Sequence, residues 1–146
     1  MWNDKKSIAL SKCCVVFFMA LLLMCAILAP RGFRLWIDYM PEGRMAYFLT
    51  TVYLGSVPAA ALLVLLFMLL NRLGRGQVFV GKNVESLRYI SWCCFTGAVI
   101  SLVSALYWFP WVAVGVAAAF MGLVVRVIKN IVAKAVSLQD EADLTI

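Results

Sequence analysis

The chain has 146 residues, of which 65% are apolar and 14% are charged, with no His and a net charge of +6. A soluble domain typically has about 45–50% apolar and about 25% charged residues, so this composition excludes a soluble globular protein. The length allows a single membrane domain over residues 1–146. Basic residues that flank apolar spans are explained by anionic lipid headgroups of the bilayer, so we expect no nucleic-acid partner.

Three charge-free runs organise the chain, at residues 13–30, 45–71 and 89–125. A helix needs about 20 apolar residues to cross a bilayer core about 30 Å thick. The last run is too long for one span, and Pro110 divides it, because proline is favoured in the first turn of a helix. The predicted fold class is therefore an all-α, polytopic membrane protein with four transmembrane helices, at about 11–29, 45–70, 89–109 and 111–131.

The first span follows three lysines, which are common to signal peptides and to first transmembrane helices. No clean small-x-small cleavage site follows it, so we expect a retained helix that stops at Pro30-Arg31-Gly32.

The segment 71–88 between the second and third spans is predicted to be a cytoplasmic loop with a short amphipathic helix. Glycines end the second helix, and the new helix starts between Gly81 and Asn83, where the Asn83 side chain is able to cap it. The residues on its two faces are Phe79, Val84 and Leu87 on the apolar face and Lys82, Glu85 and Arg88 on the polar face. It would lie at the membrane interface and run into the third span.

The orientation follows from the distribution of Lys and Arg, which are enriched on the cytoplasmic side. With the N-terminus inside, ten of the 13 basic residues lie inside, and only Arg31, Arg34 and Arg44 lie outside. Both termini, including the tail 132–146, are therefore predicted to be cytoplasmic. The predicted outer aromatic belt comprises Phe33, Trp36, Tyr39, Trp108 and Trp111.

Small residues let membrane helices approach closely. They recur at helical spacing in the third and fourth spans, namely Gly97, Ser101 and Ser104 in the third, and Gly115, Ala118, Ala119 and Gly122 in the fourth. We expect these two faces to meet, because a tight turn makes the spans antiparallel neighbours.

Reactive groups are scarce. Without His there is no imidazole ligand for haem or zinc, and no acid lies inside a span to couple protons to transport. The five cysteines, Cys13, Cys14, Cys25, Cys93 and Cys94, do not form a Cys-x-x-Cys motif, and small apolar packing residues are their commoner role. A thiol-redox protein or membrane enzyme remains a minor alternative. We expect no catalytic, cofactor or metal site.

The inner loop and the tail resemble a family of small bacterial membrane proteins, DUF2975. The loop carries Gly76, Phe79, Asn83, Leu87 and Arg88, and the tail carries Glu141, Asp143, Leu144, Thr145 and Ile146. The resemblance covers the second half of the chain well and the first half by topology. Val80 stands where the family more often has Ser or Thr, which would shift capping to Asn83. The resemblance implies a bacterial inner-membrane protein with four helices, and it implies no reaction.

These features predict a non-enzymatic inner-membrane protein with a regulatory or partner-binding role. The candidate interaction surface on its cytoplasmic face comprises the ten family residues above together with Arg75. We expect Glu141 and Asp143 to contact Arg75, Lys82 or Arg88, with Leu144 and Ile146 buried beneath them. We expect a protein partner at this face, and the sequence leaves a homo-oligomer open.

The alternative is a small transporter or channel subunit, which would need oligomers because four short helices enclose little space. Its pore candidates are Thr50, Tyr53, Ser56 and Pro58. Hydrogen bonding of these hydroxyls to their own helix is the commoner role.

Overall fold

The structure is a computed structural model, and it describes residues 4–36, 43–77 and 80–144. The described residues form four α-helices, namely α1 (Asp4–Trp36), α2 (Arg44–Gly74), α3 (Gly81–Ser104) and α4 (Trp111–Leu144). Each contains a stretch long and apolar enough to cross a membrane. The prediction of an all-α chain with four apolar spans is confirmed.

The helices lie side by side in chain order, with α1 against α2, α2 against α3 and α3 against α4. Neighbours are antiparallel, because residues near the end of one helix contact residues near the start of the next. In the part of the chain that the structure describes, no close backbone approach joins α1 to α3 or α4. The four helices therefore form a row rather than a closed bundle.

The antiparallel order separates the charges of the chain. The start of α1, the end of α2, the start of α3 and the later half of α4 lie toward one side of the row, which we call the basic end. It carries ten Lys and Arg residues, namely Lys5, Lys6, Lys12, Arg72, Arg75, Lys82, Arg88, Arg126, Lys129 and Lys134. The opposite side, which we call the aromatic end, carries Arg31, Arg34 and Arg44 with Tyr47, Phe48, Tyr107, Trp108 and Trp111.

A proline inside α1 interrupts the backbone ladder without ending the helix. The predicted stop at Pro30-Arg31-Gly32 is wrong, because the helix continues to Trp36. Pro30 has no N–H, so the carbonyl of Ala26, four residues earlier, loses its helical donor. The hydroxyl of Tyr53 in α2 donates to that carbonyl at 3.0 Å. A neighbouring helix thus satisfies the acceptor, which allows the helix to continue past the proline.

No separate helix lies between α2 and α3 within the described ranges. α3 begins at Gly81, inside the predicted interval, and runs without a break to Ser104. The segment expected as a short amphipathic helix therefore forms the first two turns of α3. The physical reason is that residues 82–96 contain neither Gly nor Pro, so nothing ends the helix once it has started.

α4 begins at Trp111, directly after Pro110, and extends to Leu144. The predicted tail, residues 132–146, is thus helical as far as the structure describes it, because residues 123–144 contain no Gly or Pro. The 34 residues of α4 rise about 51 Å, well beyond a bilayer core of about 30 Å. α3 ends at Ser104, before the predicted end of the third span at about residue 109, and gives way to a turn at residues 105–107.

The most buried apolar cluster lies where α2 and α3 meet, in the half of the row toward the basic end. Leu69, Leu87, Ile90 and Cys94 form its centre. Partly buried side chains of α2 and α4, among them Val125, pack around it. This cluster holds three of the four helices together.

Glycines of α4 allow a close approach to α3. A Cβ added at Gly115 would lie 2.7 Å from Leu102 Cγ, and one added at Gly122 would lie 2.9 Å from Phe95 Cε1. Both distances are shorter than a real Cβ contact, so an alanine at either position would force the Leu102 or Phe95 side chain to move. The prediction that Gly97 of α3 faces α4 is wrong, because a Cβ added at Gly97 would meet nothing within 4 Å.

Candidate functional site

Polar side chains and backbone carbonyls are joined at the connection between α2 and α3, at the basic end. We call Arg72, Gln77, Asn83 and Ser86 the Arg72 cluster. Arg72 Nη1 donates to Ser86 Oγ at 2.8 Å, to Asn83 Oδ1 at 3.4 Å and to the Lys82 carbonyl at 3.3 Å. Asn83 Nδ2 donates to the Gln77 carbonyl at 2.8 Å. One guanidinium thus connects the last turn of α2 to the first two turns of α3.

The backbone of Arg72 also ends α2. The amide of Gln77 donates to the Arg72 carbonyl at 3.0 Å, and the amide of Gly76 donates to the Leu73 carbonyl at 3.1 Å. Gly76 has a φ of 80°, which glycine adopts without steric cost. This pair of bonds is a Schellman motif, which satisfies carbonyls that the helix end leaves free. Arg72 therefore holds the connection through its carbonyl and its side chain.

The prediction that Asn83 caps α3 is wrong. The N-cap residue is Val80, whose backbone is extended and whose side chain makes no cap bond. Asn83 follows three residues later, and its amide donates to the Val80 carbonyl at 3.0 Å. A capping side chain must precede the amides that it accepts from, and the helix has already started at Gly81. The Asn83 side chain is instead 1% exposed within the Arg72 cluster.

The hydrogen bonds of the Arg72 cluster hold α2 and α3 together. The three oxygen atoms that accept from Arg72 belong to a hydroxyl, an amide and a backbone carbonyl, so none of them neutralises the guanidinium. Ser86 is 4% exposed. Buried polar groups of this kind favour one arrangement of the two helices. Any other arrangement would break these hydrogen bonds and leave buried groups without a partner, which costs free energy. The cluster thus sets the register of α2 against α3 and leaves a positive charge at the basic end.

A second polar set joins α2 and α3 toward the aromatic end. Thr51 Oγ1 lies 2.8 Å from Ser104 Oγ and 2.6 Å from the Tyr107 hydroxyl. Ser104 Oγ in turn donates to the Ile100 carbonyl at 2.8 Å. The Thr51 hydroxyl also donates to the Tyr47 carbonyl at 2.9 Å, one turn earlier in α2. Thr51 and Ser104 are 7% and 5% exposed, so these bonds lie inside the helix contact.

Aromatic rings surround this second set. The ring of Phe48 lies 5.9 Å from those of Trp108 and Trp111, and Arg44 donates to the Tyr107 carbonyl at 3.0 Å. Trp111 Nε1 is buried and has no hydrogen-bond partner among the described residues. Of the predicted aromatic belt, the structure describes the side chains of Trp108 and Trp111, which lie together here, and Tyr39 lies outside the described residues.

The predicted inner-loop surface separates into structural and exposed residues. Asn83 and Leu87 are buried, and Gly76 belongs to the end of α2. Arg75 and Arg88 are exposed. Phe79 lies outside the described residues.

The predicted tail surface continues α4 as a helix as far as Leu144. Leu144 is 86% exposed, so its expected burial is wrong for the single chain, and Glu141 and Asp143 are exposed as well. Thr145 and Ile146 lie outside the described residues. The reason is geometric: Arg126 stacks on Trp92 at 5.7 Å, and α3 starts eleven residues before Trp92. Beyond residue 137, eleven residues after Arg126, α4 has no α3 beside it.

The hydroxyls predicted as pore candidates bond to backbone. Thr50 Oγ1 donates to the Ala46 carbonyl at 2.7 Å, and Ser56 Oγ donates to the Tyr53 carbonyl at 2.6 Å. The Tyr53 hydroxyl is bonded to α1, as described above, and Pro58 lies inside α2. The hydrogen bonding to helix backbone expected for Thr50 and Ser56 is confirmed.

The cysteines are unpaired in the structure. Cys13, Cys14 and Cys25 are exposed on α1, Cys93 is half-buried and Cys94 lies in the apolar cluster of α2 and α3. Within the described ranges, no three His, Cys, Asp or Glu side chains are grouped so that they could hold a metal ion.

Arg72 is the residue that sequence reasoning missed. In the sequence it is one of the basic residues that flank the second span. Its position two residues before Gly74 and four before Gly76 indicates that it lies at a helix end. Its partners Asn83 and Ser86 depend on how α2 and α3 are aligned, which the sequence does not give.

Four antiparallel apolar helices, with ten basic residues toward one side and aromatic residues toward the other, define a multi-pass membrane protein. A protein-family model described as "Protein of unknown function (DUF2975)" matches residues 5–146, nearly the whole chain. The chain belongs to the DUF2975 family. No curated protein and no solved structure matches it.

Proposed function

We propose that this chain is a non-enzymatic protein of the bacterial inner membrane that binds a protein partner at its basic end, in the cytoplasm. The proposal rests on one observation above the others. α4 continues as a helix past the point where α3 begins, and every residue from 137 to 144 is exposed. A membrane span does not need this extension, so it is available for an interaction.

The charge distribution supports a cytoplasmic basic end. Ten basic residues lie toward that end and three toward the other. Lys and Arg are retained on the cytoplasmic side during insertion. An odd number of spans would place the termini on opposite sides, and four spans place both termini on the same side. We therefore assign the start of α1 and the end of α4 to the cytoplasm.

The chemistry of the extension favours a protein partner over lipid. Asp140, Glu141 and Asp143 are acidic, and anionic headgroups would repel them. Leu138 and Leu144 are 56% and 86% exposed beside these acids. Exposed apolar side chains among charges suit a protein surface that supplies basic groups and an apolar contact.

The Arg72 cluster gives this surface a rigid base. It fixes the connection between α2 and α3, and Arg75 and Arg88 are exposed near it. A partner would therefore meet a fixed basic surface beside an acidic helix. Binding would not lose free energy by ordering the connection between α2 and α3, because the Arg72 cluster already holds it in place.

Site-specific photocrosslinking in native membranes tests the proposal. A photoreactive amino acid replaces Leu138 or Leu144 in the extension, or Arg75 at the end of α2. Matched controls carry it at Val116 or Phe120, which are 59% and 65% exposed on α4, close to Leu138 at 56%, but lie in its apolar half. We expect a discrete protein adduct from the extension positions and none from the controls, with the adduct identified by mass spectrometry.

Two outcomes would overturn the proposal. One is that neither Leu138 nor Leu144 gives a protein adduct in membranes of the native host. The other is that adducts form at Val116 and Phe120 alone, which would place the interaction between helices inside the bilayer.

The second candidate function is a subunit of an oligomeric transporter or channel. The observation that favours it is the open row: α1 and α4 do not approach each other in the described residues, so both edges are available to other copies. Against it, the hydroxyls of Thr50, Tyr53 and Ser56 are bonded to backbone carbonyls. Solute or ion flux through liposomes that rises with the amount of reconstituted protein would support this function, and flux equal to that of empty liposomes would count against it.

A further inference from the structure

An open apolar groove of about 400 Å³ lies between α1 and α2. Its walls are apolar, with Val15, Met19 and Leu23 on α1 and Leu63, Phe67 and Met68 on α2. The neighbouring helix pairs are filled more closely, by the apolar cluster between α2 and α3 and by the glycine contacts between α3 and α4. The groove is therefore a specific gap in the packing of the row.

The length of the groove is close to that of one lipid chain in one leaflet. Its α1 wall runs from Val15 to Leu23, which rises about 12 Å. One leaflet contributes about half of a bilayer core that is about 30 Å thick. Because the wall starts three residues after Lys12, the groove lies in the leaflet next to the basic end.

A cation stands at the headgroup end of this groove. Lys12 precedes Val15 by three residues and Val16 by four, so it lies on the same face of α1, one turn closer to the basic end. Lys12 is half-buried, and its Nζ lies 3.7 Å from where a Cβ on Gly74 would be. The ammonium group thus lies across the seam of α1 and α2, above the apolar walls.

A polar side chain of α2 completes this end. Asn71 follows Phe67 by four residues and Met68 by three, so it continues the α2 wall by one turn. Gly74, one turn further, has no side chain to cover the seam. An apolar groove with a cation and an amide at its interfacial end matches a molecule with an anionic head and an apolar chain.

We infer that the groove binds one acyl chain of an anionic phospholipid, with Lys12 and Asn71 holding the phosphate. This inference is independent of the proposed protein partner. A transmembrane helix of a second copy suits this end less well, because the charge-free spans of the chain offer no anionic group to Lys12. A partly extended lipid chain is narrower than a helix and leaves the head free to reach Lys12.

Native mass spectrometry of the purified full chain in detergent tests the inference, with phosphatidylglycerol and phosphatidylcholine as probes. Lys12→Gln removes the cation, and Ala20→Phe fills the groove from its α1 wall. Matched controls are Lys5→Gln, an exposed lysine at the same end, and Ala117→Phe on the exposed surface of α4. Circular dichroism and size-exclusion chromatography check that each variant is folded.

We expect one phosphatidylglycerol to bind more tightly than phosphatidylcholine. Lys12→Gln should lower the affinity for phosphatidylglycerol about fivefold, as expected for one basic residue at an anionic headgroup, and leave phosphatidylcholine unchanged. Ala20→Phe should abolish specific binding of both lipids. Lys5→Gln and Ala117→Phe should bind like the unchanged chain.

Three results would overturn the inference. The first is an equal effect of Lys12→Gln and Lys5→Gln, which would indicate only general charge attraction. The second is unchanged lipid binding by a folded Ala20→Phe chain. The third is a change of oligomeric state with Ala20→Phe, which would show that a second copy covers the groove. If Ala20→Phe does not fold, the comparison of the two lysine variants decides the matter alone.

Discussion

The hydroxyl of Tyr53 donates to the carbonyl of Ala26 at 3.0 Å, and this bond stands in for the one that Pro30 cannot make. In the apolar part of a membrane, an unsatisfied carbonyl costs free energy because no water is available to pair with it. The bond therefore has two roles: it lets α1 continue past its proline, and it ties α1 to α2 at the aromatic-end half of their contact.

Tyr53→Phe should lower the free energy of unfolding by about 0.6 kcal/mol, the average for hydrogen bonds between membrane helices, and by no more than about 1.7 kcal/mol, their maximum. The measurement is reversible unfolding in mixed micelles or bicelles. Pro30→Ala supplies the matched background, because an alanine at this position restores the backbone donor to the Ala26 carbonyl. In that background Tyr53→Phe should cost clearly less. Equal costs in the two backgrounds would show that the bond does not compensate for the proline.

The number of helices could be predicted from the sequence because it depends on local quantities. The lengths of the charge-free runs and the position of Pro110 are properties of the chain alone, and they led to four helices and to the start of α4 at Trp111. Pro30 shows where such reasoning fails. Whether a proline ends a helix depends on what satisfies the acceptor four residues earlier, and here that is a side chain 27 positions away.

The candidate site was harder to predict for the same reason. Asn83 has the identity of a capping residue, but its role follows from Arg72 and Gln77, which reach it from the end of α2. Leu144 was expected to be buried because the acids beside it could pair with bases of the loop. The continuation of α4 instead carries Leu144 beyond the start of α3. Both cases depend on the register of neighbouring helices, which local sequence does not contain.

The contact of α3 with α4 predicts different effects for three glycines. Gly115→Ala and Gly122→Ala should each lower the free energy of unfolding by about 1 to 3 kcal/mol, the usual cost of overpacking. The added Cβ at Gly115 would also lie 3.3 Å from the backbone oxygen of Ala98, which cannot move aside easily.

Gly97→Ala is the matched control for these variants, since its Cβ meets no atom within 4 Å. It should be neutral or stabilise the chain, because alanine has a higher helix propensity than glycine. Unfolding of all three variants in the same detergent makes the comparison. Losses of similar size at the three positions would contradict the observed interface.

The hydroxyl set at the aromatic end predicts a difference between two adjacent threonines. Thr51→Val keeps the shape of the side chain and removes the oxygen shared by Ser104 and Tyr107. The free energy of unfolding should fall by about 1 kcal/mol. Thr50→Val removes a bond to the Ala46 carbonyl alone, on an exposed surface, and should cost less. The same cost for both substitutions would indicate that the contact between helices contributes nothing.

From the bonds of the Arg72 cluster we predict that a lysine at position 72 stabilises the fold less than the arginine does. Arg72→Lys keeps the positive charge but loses the planar group whose nitrogen bonds Ser86, Asn83 and the Lys82 carbonyl together. We expect a loss of about 1.5 to 3 kcal/mol in the free energy of unfolding, as for hydrogen bonds to charged groups. Arg75→Lys, at an exposed position three residues later, should stay within about 0.5 kcal/mol.

A double-mutant cycle separates the contribution of the bond from that of the charge. Ser86→Ala removes the shortest of the three bonds, 2.8 Å long, from a residue that is 4% exposed. If Arg72 acts through this bond, Arg72→Lys and Ser86→Ala together should cost less than the sum of their separate costs, because the second change removes a bond that the first has already weakened. Strict additivity would show that Arg72 stabilises the basic end without Ser86, and the register of α2 against α3 would then have to come from the apolar contacts of Leu69 and Leu87.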